Sequence, residues 1–219
     1  YDLILDHQSF LDGDDYISIH TFAGDWAGST VNGYNGSDHI NGILGSNDDT
    51  FHGMQGADYI HSGRGNDVVR GGRGADWLFG GDGADWIWGG VGRNLIQGGV
   101  FDKGVDQLYV TADSVRNSHG NPGGVNADIL RIVEKNDQIF IHGVDDSTLS
   151  FVEDVTHPQS NWTTPAPQVS DDSGTYTGSY TGVGIYANGV LEAIVDSSPV
   201  NGPVTASEVD AITTGGFFA

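Results

Sequence analysis

Residues 71–99 read "GGRGADWLFGGDGADWIWGGVGRNLIQGG", close to three copies of one nine-residue phrase, Gly-Gly-x-Gly-x-Asp-x-apolar-x. With the frame set on Asp76, the sixth position holds Asp58, Asp67, Asp76, Asp85 and Asn94, and the eighth holds Ile60, Val69, Leu78, Ile87 and Ile96. A flexible glycine-rich linker does not keep an aspartate column and an aliphatic column in phase. Glycines at positions one, two and four permit positive φ and a tight turn, and one large apolar residue per repeat suits a short strand with a single inward side chain. The glycine load excludes helix.

Outside this stretch the frame loosens. Gly36-Ser37-Asp38-His39-Ile40 fits it, "GSNDDTF" needs two extra residues to place Asp49 and Phe51, and "GDWAGSTVN" puts Ser29 where aspartate is expected. Downstream, "GGVFDKGVDQLY" recovers the phrase at Asp106 and Leu108 after a three-residue insertion, and Gly13-x-Asp15-x-Ile17 is an outlying match near the N-terminus.

Composition points the same way. Eight Lys and Arg against 30 Asp and Glu give a formal charge of -22, and the 35 glycines are well above the usual share of about 7%. Nucleic acid and anionic membrane are poor partners for such a chain. High net charge with modest hydrophobicity also opposes compaction, so a multivalent cation is the expected counterweight. There is no cysteine, and oxygen must therefore hold that cation. No apolar run reaches membrane-spanning length, "YDLILDHQSF" lacks the features of a cleavable signal, and Tyr1 in place of Met suggests a processed chain or an excised fragment.

The stretch from Gly53 to Gly99 resembles the RTX (repeats-in-toxin) family of calcium-binding nonapeptides. The resemblance implies an all-β fold, a right-handed parallel β-roll in which two nonapeptides make one turn and calcium lies between loops stacked on the same side. One edge would then run Asp49, Asp67, Asp85, Asp106 and the other Asp38, Asp58, Asp76, Asn94. The family's ligand pattern combines carbonyls from positions two and four and the aspartate of one loop with carbonyls from positions one and three and the aspartate two repeats on. Carried over, it names Gly63, Gly65, Asp67, Gly80, Asp82 and Asp85 on one edge. On the other it names Met54, Gly56, Asp58, Gly71, Arg73 and Asp76, then Gly72, Gly74, Asp76, Gly89, Val91 and Asn94. Six oxygens suit Ca²⁺ better than Mg²⁺, several ions are implied, and Asn94 would supply a neutral oxygen to the weakest site. The insertions around residues 47 and 101 disturb the end sites at Asp49 and Asp106.

Positions seven and nine should face outward. That places Trp77 and Phe79 with Tyr59, His61 and Leu95 on one face, and Trp86 and Trp88 with Val68 and Arg70 on the other. Such patches call for a cover, from the rest of the chain or a second subunit, or for a polysaccharide ligand. His39, His52 and His61 fall at outward positions without ligand spacing and are expected to be solvated. No H-E-x-x-H, G-x-S-x-G or P-loop occurs, so no catalytic residue is expected.

After Tyr109 the phase is lost. "DILRIVEKNDQIFIHGV" reads as a strand pair around a Glu134 to Asn136 turn, and "GIYANGVLEAIV" as a hairpin turning at Asn188-Gly189. Residues 156–182 read as a polar loop. Thr205 and Glu208 form a capping box for a short helix that Gly215-Gly216 would stop. This half resembles the C-terminal region of secreted RTX proteins, which implies a β-rich cap and a type I secretion signal. The expected organisation is a roll over residues 1–109 and a capping and export region over 110–219. The expected function is a secreted, extracellular or cell-surface calcium-binding module that folds on Ca²⁺ outside the cell, engages type I secretion machinery and supports adhesion. The alternatives are the C-terminal RTX domain of an extracellular protease, lipase or polysaccharide epimerase, or a glycan-binding module.

Overall fold

A computed structural model describes residues 4–5, 13–18, 28–42, 47–99, 104–112, 127–131, 133–157, 180–196 and 205–218. The described chain is mostly strand, and as far as Gln138–His142 successive strands alternate between two facing sheets. The first sheet stacks β1 (Ile4–Leu5), β3 (Thr30–Asn32), β5 (Thr50–Gln55), β7 (Val68–Arg73), β9 (Trp86–Val91), β11 (Gln107–Thr111), β13 (Gln138–His142) and β17 (Thr213–Gly216), every neighbour parallel. The second stacks β2 (Tyr16–Ser18), β4 (His39–Asn41), β6 (Tyr59–Arg64), β8 (Trp77–Asp82), β10 (Leu95–Gln97), β12 (Asp128–Arg131) and β16 (Val190–Asp196) in parallel. It ends on antiparallel β15 (Tyr180–Ala187) and β14 (Leu149–His157). This is the all-β parallel β-roll that the repeat implies, one coil per two nonapeptides.

The eighth-position column makes the core. Val31, Phe51, Val69, Ile87, Leu108 and Ile139 face Ile17, Ile40, Ile60, Leu78, Ile96 and Leu130 in one continuous buried cluster. Each fully buried side chain of this kind contributes roughly 1.5–3 kcal/mol. Register is fixed because a one-residue slip would turn the whole column outward. Ser29 is buried in the aspartate position of its coil, and Gly13-x-Asp15-x-Ile17 is a true coil paired to β4.

Both sheets run on past Tyr109, where the sequence loses its phase. The strand pair expected around Glu134 to Asn136 is corrected here: β12 and β13 do not pair with each other but lie in opposite sheets, as the two halves of a further coil. Alternation alone does not distinguish a hairpin from successive strands of a roll, since both show period two. The Asn188-Gly189 turn does form, with φ of 52° and 78°, the two positive values a type I′ turn requires. Helix α1 (Ala206–Ile212) carries the expected capping box between Thr205 and Glu208, and its Val209 is buried in the core cluster. Gly215 and Gly216 do not stop that helix. They lie in β17, where Gly215 approaches the backbone of Asp145 and Asp146 too closely for a side chain. Of the polar loop, residues 158–179 lie outside the described residues, while its ends belong to β14 and β15. Among the described residues no helix is long and apolar enough to cross a membrane.

Candidate metal centre

Each repeat aspartate follows a glycine loop and precedes a strand, and each is nearly inaccessible to solvent. They form two ladders along the roll. On one, the N–H groups of Asp15, Asp38 and Asp58 donate to Oδ1 of Asp38, Asp58 and Asp76 at 2.9–3.0 Å, Asp76 N–H donates to Asn94 Oδ1 at 3.1 Å, and Asn94 N–H to Asp128 Oδ1 at 2.8 Å. On the other, Ser29, Asp49, Asp67, Asp85 and Asp106 donate in turn to Asp49, Asp67, Asp85, Asp106 and Asp137. These are the two edges expected from the repeat, each one coil longer at the C-terminal end.

One carboxylate oxygen is thus spent on the neighbouring coil. The other, Oδ2, is buried without a hydrogen-bond donor in Asp15, Asp38, Asp49, Asp58, Asp67 and Asp76. The Ser62 hydroxyl beside Asp67 donates instead to the Gly80 carbonyl at 2.6 Å. Burial of an unpaired carboxylate is costly, and it pushes these groups up: Asp38 and Asp67 to about 6, Asp58 to about 7 and Asp76 to about 8. The ladder N–H bonds pull against that shift, and the charges of neighbouring aspartates add to it.

The loop backbone supplies further oxygen. A Cβ on Gly71 would meet both Asp76 Oδ2 and the Gly89 carbonyl, the latter at 2.7 Å, and one on Gly53 would meet Asp58 Oδ2 and the Gly71 carbonyl. Position-one glycine therefore leaves a cradle lined by carboxylate and carbonyl oxygen. The position-two and position-four carbonyls, Met54 and Gly56 among them, point forward at Gly72 and Gly74 of the next coil. The position-three carbonyls point back: those of Arg73, Asp82 and Val91 accept from Gly56, Gly65 and Gly74 at 2.8–3.0 Å. Among the described residues no three His, Asp or Glu side chains converge, so most oxygens of any ion held here would be backbone. Hard oxygen donors in a cradle of this kind fit Ca²⁺.

Two expected ligands are placed differently. Asn94 does not offer its oxygen: Oδ1 accepts from Asp76, and Nδ2 takes the inner place, 3.1 Å from Asp128 Oδ1. Asp106 Oδ2 accepts the Gly99 N–H at 2.8 Å. The exposed Asp82 carboxylate lies 3.4 Å from Arg64 Nε, while its carbonyl accepts the Gly65 N–H.

Sequence reasoning missed Asp128 and Asp137, which keep the aspartate-to-apolar spacing as Asp128-x-Leu130 and Asp137-x-Ile139; no glycine stands in residues 132–136 before Asp137, and before Asp128 Gly123-Gly124 hold positions one and two with Asn126 in place of the third glycine. It also missed an outer ladder at position five, where Asp14 and Asp48 accept the N–H of Ser37 and Asn66, and Asn66 that of Ala84. His39 is buried rather than solvated, stacked between Tyr16 and Tyr59 at 4.6 Å from each. Trp77 and Phe79 are buried, while Trp86 and Trp88 are half-buried in a ring ladder with Tyr109 and Phe140.

A parallel roll with stacked aspartate loops defines a class of repeat protein built around cations. The model of the RTX calcium-binding nonapeptide repeat, in four copies, matches residues 43–78 and 70–102, and this part of the chain consists of those repeats, a structural calcium-binding module. No curated protein and no solved structure matches the chain.

Proposed function

We propose that this chain is a secreted module whose roll is ordered by calcium outside the cell. The buried, donorless Oδ2 atoms on both ladders carry this reading, since their charge finds no protein partner and calcium would supply one. The ions would be held by Gly63, Gly65, Asp67, Gly80, Asp82 and Asp85 on one edge and by Met54, Gly56, Asp58, Gly71, Arg73 and Asp76 on the other, chiefly through backbone carbonyls with the aspartates. Calcium supplies the positive charge that lets stacked carboxylates stay ionised in a dry interior. The chain's own part is to align the carbonyls and to lock each Oδ1 with a backbone N–H. Binding to the folded state alone adds stability by mass action.

Scarce cytosolic calcium would leave the acidic chain unfolded and fit for translocation, and roughly millimolar calcium outside would fold it. Type I export is the secretion route this reading carries with it. Circular dichroism through chelation and re-addition at pH 8 is the test: β structure should collapse in chelator, return with calcium and not with equal magnesium. A spectrum unmoved by either ion would overturn the reading. Sugar stacking on the rings of the first sheet is disfavoured, because Trp88, Tyr109 and Phe140 turn their faces to one another, with interplanar angles of 20° and 14°.

A further inference from the structure

One repeat departs from the glycine rule of the cradle. Position one is Gly33, Gly53, Gly71, Gly80 and Gly89 in the repeats of Asp38, Asp58, Asp76, Asp85 and Asn94, but Ser62 in the repeat of Asp67. A Cβ built on Gly33, Gly53 or Gly71 would touch two oxygens at once, Oδ2 of its own repeat and the position-one carbonyl of the next coil. Ser62 carries a Cβ at that place, which delivers its hydroxyl to Asp67 and Gly80. The side chain is fully buried, with Oγ 2.6 Å from the Gly80 carbonyl and 3.3 Å from the Phe79 carbonyl. Burial raises Asp67, and the Asp49 N–H and the neighbouring Ser62 hydroxyl hold that rise back.

A hydroxyl has one proton to donate and two lone pairs to offer. Here the proton has two carbonyl acceptors within reach, and among the described residues no group donates to the lone pairs. Ser62 Oγ thus joins the Asp67 carboxylate and the Gly80 carbonyl, both members of the oxygen set proposed above for this edge. An ion drawn by Asp67 Oδ2 competes with the Ser62 proton for the Gly80 carbonyl. The proton then keeps the Phe79 carbonyl, and the oxygen is free to turn a lone pair to the ion. We infer that Ser62 Oγ is an additional, neutral calcium ligand of the site at Asp67, one that the glycine repeats lack. With it the proposed set rises to a seventh oxygen. Ca²⁺ accepts roughly six to eight, whereas Mg²⁺ demands a tight octahedron and gains nothing from a seventh. Ser62 therefore sharpens the preference for calcium at this site. The inference rests on calcium being the ion that orders the roll.

The test is equilibrium dialysis of the full chain at pH 8 in saturating calcium against rising magnesium, for the parent, Ser62→Ala and Ser62→Gly, with circular dichroism showing that each is folded. Both variants should start from the parent's stoichiometry and give up one ion at roughly tenfold less magnesium, as expected for one lost polar contact. Melts in chelator at pH 5 read the bond to Gly80 separately, since that bond exists without the ion. A merely structural Ser62 would lower stability in those melts and leave the magnesium displacement on the parent's curve, which would overturn the inference. An added or more tightly held ion in Ser62→Gly would also overturn it, by making the hydroxyl a plug of the cradle. A parent chain that takes up no calcium would overturn the reading of the roll itself, and this ligand with it.

Discussion

The backbone N–H of Asp58 donates to Oδ1 of Asp76, 18 residues on, at 3.0 Å, while Asp76 Oδ2 has no donor at all. The two oxygens of one carboxylate are thereby divided between coil stacking and the interior cradle. Asp76→Asn keeps an acceptor for Asp58 and replaces the cradle oxygen by an amide, whereas Asp76→Ala removes both. The expected result is that Asn loses bound calcium with little loss of apo stability, while Ala also leaves a buried N–H unpaired, at about 1–3 kcal/mol. Equilibrium dialysis for stoichiometry and denaturant melts in chelator at pH 5, where protonated aspartates let the roll fold without the ion, check the two parts. Equal apo stability of the two variants would mean that the ladder bond does not stabilise the stack.

Without calcium the buried aspartates should give an unusual pH dependence. Burial raises Asp38, Asp58, Asp67 and Asp76 to between about 6 and about 8, from the ordinary 3.8. The folded chain thus binds more protons than the unfolded chain above pH 3.8, so stability falls as pH rises from there through 8. In chelator the roll should keep its β structure and melt cooperatively at pH 5, where these carboxyls are protonated, and should have lost it at pH 8. With saturating calcium the order should reverse, because protons compete with the ion for the same oxygens. Thermal scans at both pH values with and without chelator decide it.

Asp106 and Asp67 should behave differently although both occupy position six. Asp106 Oδ2 already accepts from Gly99, so Asp106→Ala should lower stability through two unpaired N–H groups, of Asp85 and Gly99, and leave calcium stoichiometry unchanged. Asp67→Ala, which removes a donorless oxygen, should reduce that stoichiometry by at least one ion. Loss of an ion from Asp106→Ala would place calcium at the insertion after all.

Much of this was legible in the sequence because one coil is short and local: glycine, aspartate and aliphatic columns recur every nine residues, so the core, both edges and Asp67 and Asp76 could be named at once. The coil built from Asp128 to His142 was not, since residues 132–136 before Asp137 carry no glycine and Gly123-Gly124 before Asp128 are followed by Asn126 instead of a third glycine, so the phrase is reduced to an Asp-x-apolar trace. The inversion of Asn94 was equally hidden. An amide and a carboxylate occupy the same frame position, and only the neighbours, Asp76 N–H on one side and Asp128 on the other, decide which atom turns inward. Burial of His39 and Trp77 likewise depends on contacts across coils that spacing alone does not rank.

Asn94→Asp should build a site where the chain now lacks one. The glycine cradle is present, since a Cβ on Gly89 would meet Asn94 Nδ2 just as one on Gly71 meets Asp76 Oδ2. The forward carbonyls of Gly72 and Gly74 also point at Gly90 and Gly92. Replacing that amide by carboxylate oxygen exchanges a donor, which now satisfies Asp128, for a second negative charge between Asp76 and Asp128. At sub-saturating calcium the variant should therefore be less stable than the parent, by about 1–3 kcal/mol for the lost bond alone, and its Asp76 should rise further through like-charge repulsion. In calcium the charges become ligands, and the variant should take up one additional ion and gain more stability per tenfold rise in calcium than the parent. Calorimetric stoichiometry with melts across a calcium series reads both effects. A variant destabilised at sub-saturating calcium that takes up no further ion would show that the cradle at Gly89 is not a calcium site, and that Asn94 serves the stack alone.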